Sequence, residues 1–131
     1  MPHAWIEVSA NIAKEPEVGR LARSVYDGAL RTGLFPVGGI RVRFQELSQV
    51  IVGDGHPDNA FVHVVLRIGA GRPLATKKAA ADEIFAELKD LMAPLAARKP
   101  LAVAFEVQEM SEDLNYKFNN LHEKIAERQA S

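Results

Sequence analysis

The stretch AFVHVVLRI, residues 60–68, decides the fold. It is an almost unbroken apolar run of strand length that follows the turn-forming segment GDGHPDN, residues 53–59, so it predicts a strand buried on both sides. From about Thr76, apolar side chains recur at helical spacing, and Pro94 is expected to distort or end the last turn of that helix. The stripe consists of Ala80, Ile84, Leu88, Leu91 and Leu95. LAVAFEVQEM, residues 101–110, then predicts another strand.

The first half of the chain repeats this order. Residues Ala4 to Ser9 alternate between apolar and polar side chains, which is typical of a half-buried strand. Pro16 is expected in the first turn of a helix that stops near Gly33. Its apolar stripe is Val18, Leu21, Ala22, Val25 and Ala29. The next predicted strand is IRVRFQEL, residues 40–47, in which Arg41 and Arg43 share one face.

These patterns predict an α+β fold made of a duplicated β-α-β unit within a single domain, residues 1–131. The repeats cover about residues 2–52 and 60–110, and residues 111–131 form a C-terminal segment. Right-handed crossovers make the strands of each unit parallel, so two units give a four-stranded mixed sheet with both helices on one face. Because apolar residues are expected on both faces, we expect oligomerisation to cover the open face, with a monomeric α+β sandwich as the alternative.

Composition narrows the function classes. Of the 131 residues, 47% are apolar and 25% are charged, with a net charge of −1 and no dense run of Lys or Arg, so nucleic-acid binding is not expected. The absence of cysteine excludes disulfides and thiolate catalysis. No apolar stretch is long enough to span a membrane, and the amino terminus does not resemble a signal peptide, so we expect a cytoplasmic location without membrane partners.

The candidate ligand-binding groups are few. The four histidines lack metal-ligand spacing, and GAGR, residues 69–72, lacks the full glycine pattern of a dinucleotide site, so neither a metal nor a cofactor is expected. His63 lies inside an apolar strand and is expected to be a hydrogen-bonded core or interface residue. Arg72 follows a strand end and Arg41 follows a glycine pair, where each guanidinium could bind a carboxylate, although a solvated surface position is the ordinary alternative.

Pro2 is a candidate base. Removal of Met1, which a small second residue permits, turns Pro2 into a secondary amine at the edge of the first strand. An α-amino group titrates at roughly 7.7–8.0, and burial or cationic neighbours lower that pKa, so the amine could be a neutral base at cellular pH. A proline after the initiator methionine can also be without functional meaning.

Five segments, in order from Met1 to about Lys124, resemble the 5-carboxymethyl-2-hydroxymuconate delta-isomerase family of the tautomerase superfamily. The segments are PHAWIEVSANI (residues 2–12), TGLFPVGGIRVR (32–43), AFVHVVLRIGAGR (60–72), LAVAFEVQEM (101–110) and LNYKFNNLH (114–122). The resemblance does not extend over QELSQVIVG, residues 45–53, or over the last residues, IAERQAS, 125–131.

The resemblance implies a homotrimer and an isomerase that needs no metal or cofactor. Its substrate would be a small anion, an unsaturated 2-hydroxy dicarboxylate or tricarboxylate that is converted to a conjugated 2-oxo acid during breakdown of homoprotocatechuate. The family's amino-terminal proline matches Pro2, which takes the 2-hydroxyl proton and redelivers it at carbon 5. Its substrate-binding arginines match Arg41 and Arg72, with Arg43 or Arg67 as open alternatives. Residues 115–122 are implied to pack across a subunit boundary.

Two other functions are compatible with these residues. One is a tautomerase-superfamily enzyme that acts on a different acid. The other is a small-ligand-binding module without catalysis, which retention of Met1 would favour because the proline nitrogen is then an amide.

Overall fold

The computed structural model describes residues 1–130 and contains the two predicted β-α-β units. The elements in chain order are β1 (His3–Ser9), α1 (Leu21–Arg31), β2 (Arg41–Leu47), β3 (Ala60–Gly69), α2 (Leu74–Ala96), β4 (Leu101–Met110) and α3 (Leu121–Ala130). Short 3-10 turns lie at Ala10–Ile12, Val18–Arg20 and Val37–Gly39. The α+β class and the duplicated unit are therefore confirmed.

The strands form one mixed sheet in the order β2-β1-β3-β4. β1 and β2 are parallel, as are β3 and β4, whereas the two units join through antiparallel pairing of β1 with β3. His3 at the start of β1 pairs with Arg41 at the start of β2 and with Arg67 near the end of β3. The start of the chain, the start of β2 and the exit of β3 therefore meet at one edge of the sheet.

The core lies between the sheet and the two long helices. The inward side chains of β1 and β3 alternate along each strand, and they join the apolar stripes of α1 and α2 in one buried cluster. Its largest members include Ile6, Val64, Leu21, Ile84, Leu88, Met92 and Leu95, each at most 2% exposed. Both helices therefore cover one face of the sheet, as predicted.

One helix boundary differs from the sequence prediction, whereas the position of Pro94 in the last turn of α2 agrees with it. α1 begins at Leu21, and Pro16 lies in the preceding turn, where the buried carboxylate of Glu17 accepts hydrogen bonds of 2.6 and 2.8 Å from Arg98. The next three residues, Val18–Arg20, form a 3-10 turn that leads directly into α1. Pro94 lies within the last turn of α2, which continues to Ala96. An exposed proline so near a helix end removes only one backbone hydrogen bond, so the helix is not terminated.

The open face is more polar than predicted. It consists of rows that run across all four strands, such as Arg43, Trp5, Val65 and Glu106 in one row and Gln45, Glu7, His63 and Ala104 in the next. His63 is therefore not a core residue. Its Nε2 atom lies 3.6 Å from a carboxylate oxygen of Glu106 on this face. Trp5, Phe61 and Val65 are large apolar residues of the face and are half-buried in the single chain.

The C-terminal segment ends in α3, which contains residues 125–130 of the tail beyond the resemblance. Ser131 lies outside the described residues. Among residues 1–130, no helix has both the length and the apolar character needed to cross a membrane.

A leucine pair in α2 tests the location of the core. Leu88 is 1% exposed and Leu74 is 75% exposed. Leu88→Ala leaves a cavity between helix and sheet and is expected to lower the free energy of unfolding by about 2–5 kcal/mol. Leu74→Ala should change it by about 0.5 kcal/mol or less. Urea denaturation measures both variants, and equal effects would contradict this description of the core.

Candidate active site

Pro2 is held where the first parallel strand pair begins. The backbone N–H of Arg41 donates a hydrogen bond of 3.0 Å to the carbonyl oxygen of Pro2, and Pro2 itself is buried. The register of β1 with β2 continues from this bond, so the sheet fixes the position of residue 2 and of the Arg41 side chain together. The amino terminus is thereby part of the folded sheet edge.

The Arg41 guanidinium is oriented by the turn that precedes β2. Its Nη1 atom donates to the carbonyl oxygen of Gly38 at 3.3 Å and lies 4.0 Å from the Met1 thioether sulfur. Gly38 and Gly39 are buried, and a Cβ atom at Gly39 would lie 3.3 Å from Met1 Cγ. The glycine pair therefore allows the chain start to lie directly against this turn.

Arg72 reaches the same region from the loop after β3. Gly71 has a φ of 109°, which favours glycine, and the tight turn directs Arg72 back toward the sheet. Its guanidinium donates to the carbonyl oxygens of Gly69 at 3.2 Å and Leu34 at 3.0 Å, and it lies 5.0 Å from the centre of the Phe35 ring. Backbone carbonyls thus hold both arginines, and neither forms a salt bridge with a carboxylate of the described chain.

The electrostatics of the amino terminus depend on three cations. Burial lowers the pKa of the Met1 α-amino group below its ordinary value of 8.0, and the positive charges of Lys117, Arg72 and Arg41 lower it further, in that order. Both effects favour the neutral amine over the ammonium ion. An amine at this end of the chain therefore loses its proton at a lower pH than an ordinary α-amino group.

The C-terminal segment packs against this region and contributes residues that the sequence analysis missed. Asn119 Nδ2 lies 3.4 Å from the Met1 sulfur, and the His122 ring packs against Gly38. Leu114, Tyr116 and Phe118 are each at least 76% exposed. The alternation of apolar and polar residues in LNYKFN, residues 114–119, could have indicated this packing. It separates an apolar side of the segment from a polar side that includes Lys117.

The structure brings Pro2, Arg41 and Arg72 to one end of the sheet. Arg67 pairs with His3 at the same edge, but the guanidinium groups of Arg43 and Arg67 both stack on Trp5. Their guanidinium carbons are 4.4 and 5.0 Å from the centre of the Trp5 ring on the open face. Arg43 also lies 3.2 Å from His3 Nδ1, and burial together with the charge of Arg43 lowers the pKa of His3. The three residues named from the sequence therefore form the candidate site.

Within residues 1–130, no three His, Asp or Glu side chains are grouped so as to hold a metal ion. The candidate site places two guanidinium groups beside a backbone terminus, so the ligand chemistry that it favours is that of an anion with carboxylates.

The duplicated unit, with the amino terminus at a sheet edge among cations, defines a tautomerase-like isomerase. The sequence profile of 5-carboxymethyl-2-hydroxymuconate isomerase matches residues 2–125, and the chain belongs to this family. The 5-carboxymethyl-2-hydroxymuconate Delta-isomerase of Escherichia coli is 38% identical over 122 residues, which are 93% of this chain and 97% of the relative.

Solved structures agree with this assignment. A 5-carboxymethyl-2-hydroxymuconate isomerase from Deinococcus radiodurans R1 is 39% identical, with a TM-score of 0.87 over 95% of this chain and 93% of that one. A second structure, of a 5-carboxymethyl-2-hydroxymuconate delta-isomerase, is 28% identical, with a TM-score of 0.86 over the same shares of the two chains.

A glycine pair tests whether the C-terminal segment is held against the chain start. An added Cβ at Gly38 would lie 2.7 Å from His122 Nδ1 and 3.1 Å from its Cα, whereas one at Gly19 would meet no atom within 4 Å. Gly38→Ala should destabilise the docked segment by about 1–3 kcal/mol and speed amide hydrogen exchange in α3. Gly19→Ala should leave that exchange unchanged. Unchanged exchange in both variants would show that the segment is not held there.

Proposed function

We propose that the protein converts 5-carboxymethyl-2-hydroxymuconate to its conjugated 2-oxo isomer, with Pro2 as general base and then general acid after removal of Met1. The observation that carries the proposal is the position of the amino terminus, beside Arg41 and Arg72 and within a chain of this isomerase family. The E. coli relative is named for this activity, and the match covers 97% of its length.

Removal of Met1 converts the Pro2 nitrogen from an amide, which has no useful basicity, into a secondary amine. Burial of Pro2 and the same positive charges that act on the Met1 amine favour the neutral form of the new terminus. The hydrogen bond from Arg41 to the Pro2 carbonyl and the rigid ring restrict where the nitrogen points. A general base is most efficient when its pKa lies near the operating pH, and burial and the nearby cations both lower the pKa of an amine at this position.

The reaction is a balanced proton relay. The nitrogen lone pair accepts the 2-hydroxyl proton, and the electrons of the O–H bond form the C2 carbonyl. The C2–C3 double bond moves to C3–C4, and the electrons of the C4–C5 double bond take the proton back from the prolyl ammonium at C5. The amine is regenerated, so the step consumes no redox partner.

The arginines bind carboxylates and stabilise the negative charge that develops on the 2-oxo oxygen. Each guanidinium is already fixed by backbone carbonyls, so little reorganisation is needed when the substrate arrives. A planar guanidinium also matches a carboxylate through two parallel hydrogen bonds, which a lysine does not offer.

The working form is a homotrimer. The open sheet face has Trp5, Phe61 and Val65 half-buried in the single chain, and the C-terminal segment has three large apolar side chains facing outward. Apolar patches of this kind are covered by other copies in soluble oligomers. A neighbouring subunit that covers them would also enclose the candidate site.

The first test is the chemical state of the amino terminus. Untagged protein whose intact mass lacks methionine should accelerate ketonisation of the dienol, measured by ultraviolet absorbance. A variant with one alanine inserted before Pro2 retains every side chain but makes the proline nitrogen an amide, and it should lose about 10²–10⁴-fold in kcat. Pro2→Ala, which keeps a free amine, should lose less. Full activity in the insertion variant would exclude Pro2 as the base.

The second test assigns the arginines. Arg41→Gln and Arg72→Gln should each lower kcat by about 10²–10³-fold, because each removes a cation aimed at developing charge. Arg43→Gln is the matched control, since its guanidinium stacks on Trp5, and its kcat should stay close to that of the wild type. A large loss in the Arg43 variant with little loss in the Arg41 variant would reverse the assignment.

The third test concerns assembly. Light scattering should give the mass of three 14.4 kDa chains. Phe118→Asp should lower that mass because it places a charge in the covered surface. Ile51→Asp changes another apolar residue that is 90% exposed and lies outside this surface, so it should leave the mass unchanged. A wild-type mass of one chain would contradict the trimer.

A further inference from the structure

We propose that Phe35 is a positioning residue, whose ring supports one face of the Arg72 guanidinium group and so fixes the direction of the donors that meet the substrate. This role rests on the proposed function and deepens it, because it concerns how the same site holds its substrate-binding arginine.

Two hydrogen bonds hold the Arg72 guanidinium group within its own plane. Its Nη1 atom donates to the carbonyl oxygen of Gly69 at 3.2 Å, and its Nη2 atom donates to that of Leu34 at 3.0 Å. The N–H donors of a guanidinium group all lie in its plane, so two such bonds leave the plane free to tilt about the line that joins the two acceptors. A third contact, away from that line, is needed to fix the tilt.

The Phe35 ring provides this third contact. The guanidinium carbon of Arg72 lies over the ring, 5.0 Å from its centre, which is within the distance at which an aromatic face attracts a cation. Phe35 is 7% exposed and belongs to the buried core, so the surrounding packing holds the ring in place. With one face of the guanidinium group against the ring, the donors that the two carbonyls do not use are left along its edge for a carboxylate.

The loop that carries Phe35 is fixed on both sides of the ring. Before it, the backbone N–H of Leu34 donates to the Thr32 hydroxyl oxygen at 3.3 Å. After it, the carbonyl oxygen of Pro36 accepts a hydrogen bond of 3.0 Å from the backbone N–H of Gly39. A residue that precedes proline is also restricted to extended backbone, so Phe35 has little conformational freedom. The ring is therefore a rigid support for the mobile end of a long arginine side chain.

A double-mutant cycle tests this role. Phe35→Met keeps much of the side-chain volume but removes the aromatic face, and it should lower kcat/KM about three- to thirtyfold, the loss that corresponds to a cation–π contact. In an Arg72→Gln background the same change should have little further effect, since no guanidinium group remains to be positioned. Phe35→Tyr, which keeps the ring, should retain most of the activity. An equal fold loss from Phe35→Met in both backgrounds would overturn the role, because Phe35 would then act through packing alone.

Phe105→Met is the matched control. Phe105 also packs against the core, from β4, but no cation lies over its ring in the part of the chain that the structure describes. The variant loses an aromatic ring in the same way, and its kcat/KM should stay close to that of the wild type. A loss as large as that of Phe35→Met would count against a specific role for Phe35.

The Arg72 side chain offers a readout that does not depend on turnover. In ¹⁵N-labelled protein, the ring current of Phe35 should shift the Arg72 Nε–H resonance. Phe35→Met should move it back toward the position of a solvated arginine, and Phe105→Met should leave it unchanged. If the wild type does not isomerise the muconate yet shows this difference, the proposed function fails and the role of Phe35 stands. If the wild type is active but the resonance is the same in Phe35→Met, the role of Phe35 fails and the proposed function stands.

Discussion

The hydrogen bond from the Arg41 backbone N–H to the Pro2 carbonyl, 3.0 Å long, is the interaction on which the site depends. It starts the parallel ladder between β1 and β2 and so places the beginning of the chain beside the beginning of a second strand. Antiparallel pairing of β1 with β3 then brings the exit of β3, and with it Arg72, to the same edge. The pairing of the two β-α-β units thus brings three distant parts of the sequence together at one edge of the sheet.

The positive charges at that edge of the sheet repel one another, and an anionic ligand can offset this repulsion. Arg41 and Arg72 bond to carbonyl oxygens, and Lys117 forms no ion pair in the described residues, so the cations repel one another and any ammonium ion at the chain start. Repulsion of this kind lowers the pKa of the amine, which is the property that a proton-transferring base needs. An anionic substrate relieves the repulsion when it binds. The same feature therefore supports both affinity and basicity in the proposed isomerase.

The fold was predictable because periodicity alone separates its elements. AFVHVVLRI and LAVAFEVQEM gave both strands of the second unit within one residue of their observed bounds, and the stripe through Ile84 and Leu88 located α2. The start of α1 was predicted too early because the turn before it, Val18–Arg20, is a 3-10 turn with the same apolar spacing. The ion pair between Glu17 and Arg98 joins residues 81 apart, so no local pattern reveals it. The mixed polarity of the open face was underestimated, since His63 and Arg67 lie within a run that is otherwise apolar.

The candidate site was predictable only in part. Glycines beside Arg41 and Arg72 were a local signal that pointed to close backbone approach. Asn119 and His122, in contrast, meet Met1 and Gly38 only through contacts between distant parts of the chain. Such contacts depend on the whole sheet being formed. The alternation around Lys117 becomes informative only when the chain start is known to lie beside it.

The most direct test of the central claim is the titration of the Pro2 nitrogen by nuclear magnetic resonance, in methionine-free protein labelled with ¹³C and ¹⁵N in proline. The account predicts a pKa below 8.0, the ordinary α-amino value, and a kcat/KM that falls as the pH drops through that pKa, because the protonated amine cannot act as the base. It further predicts that Lys117→Met moves the pKa upward. A Pro2 pKa at or above 8.0, unaffected by Lys117, would contradict the account.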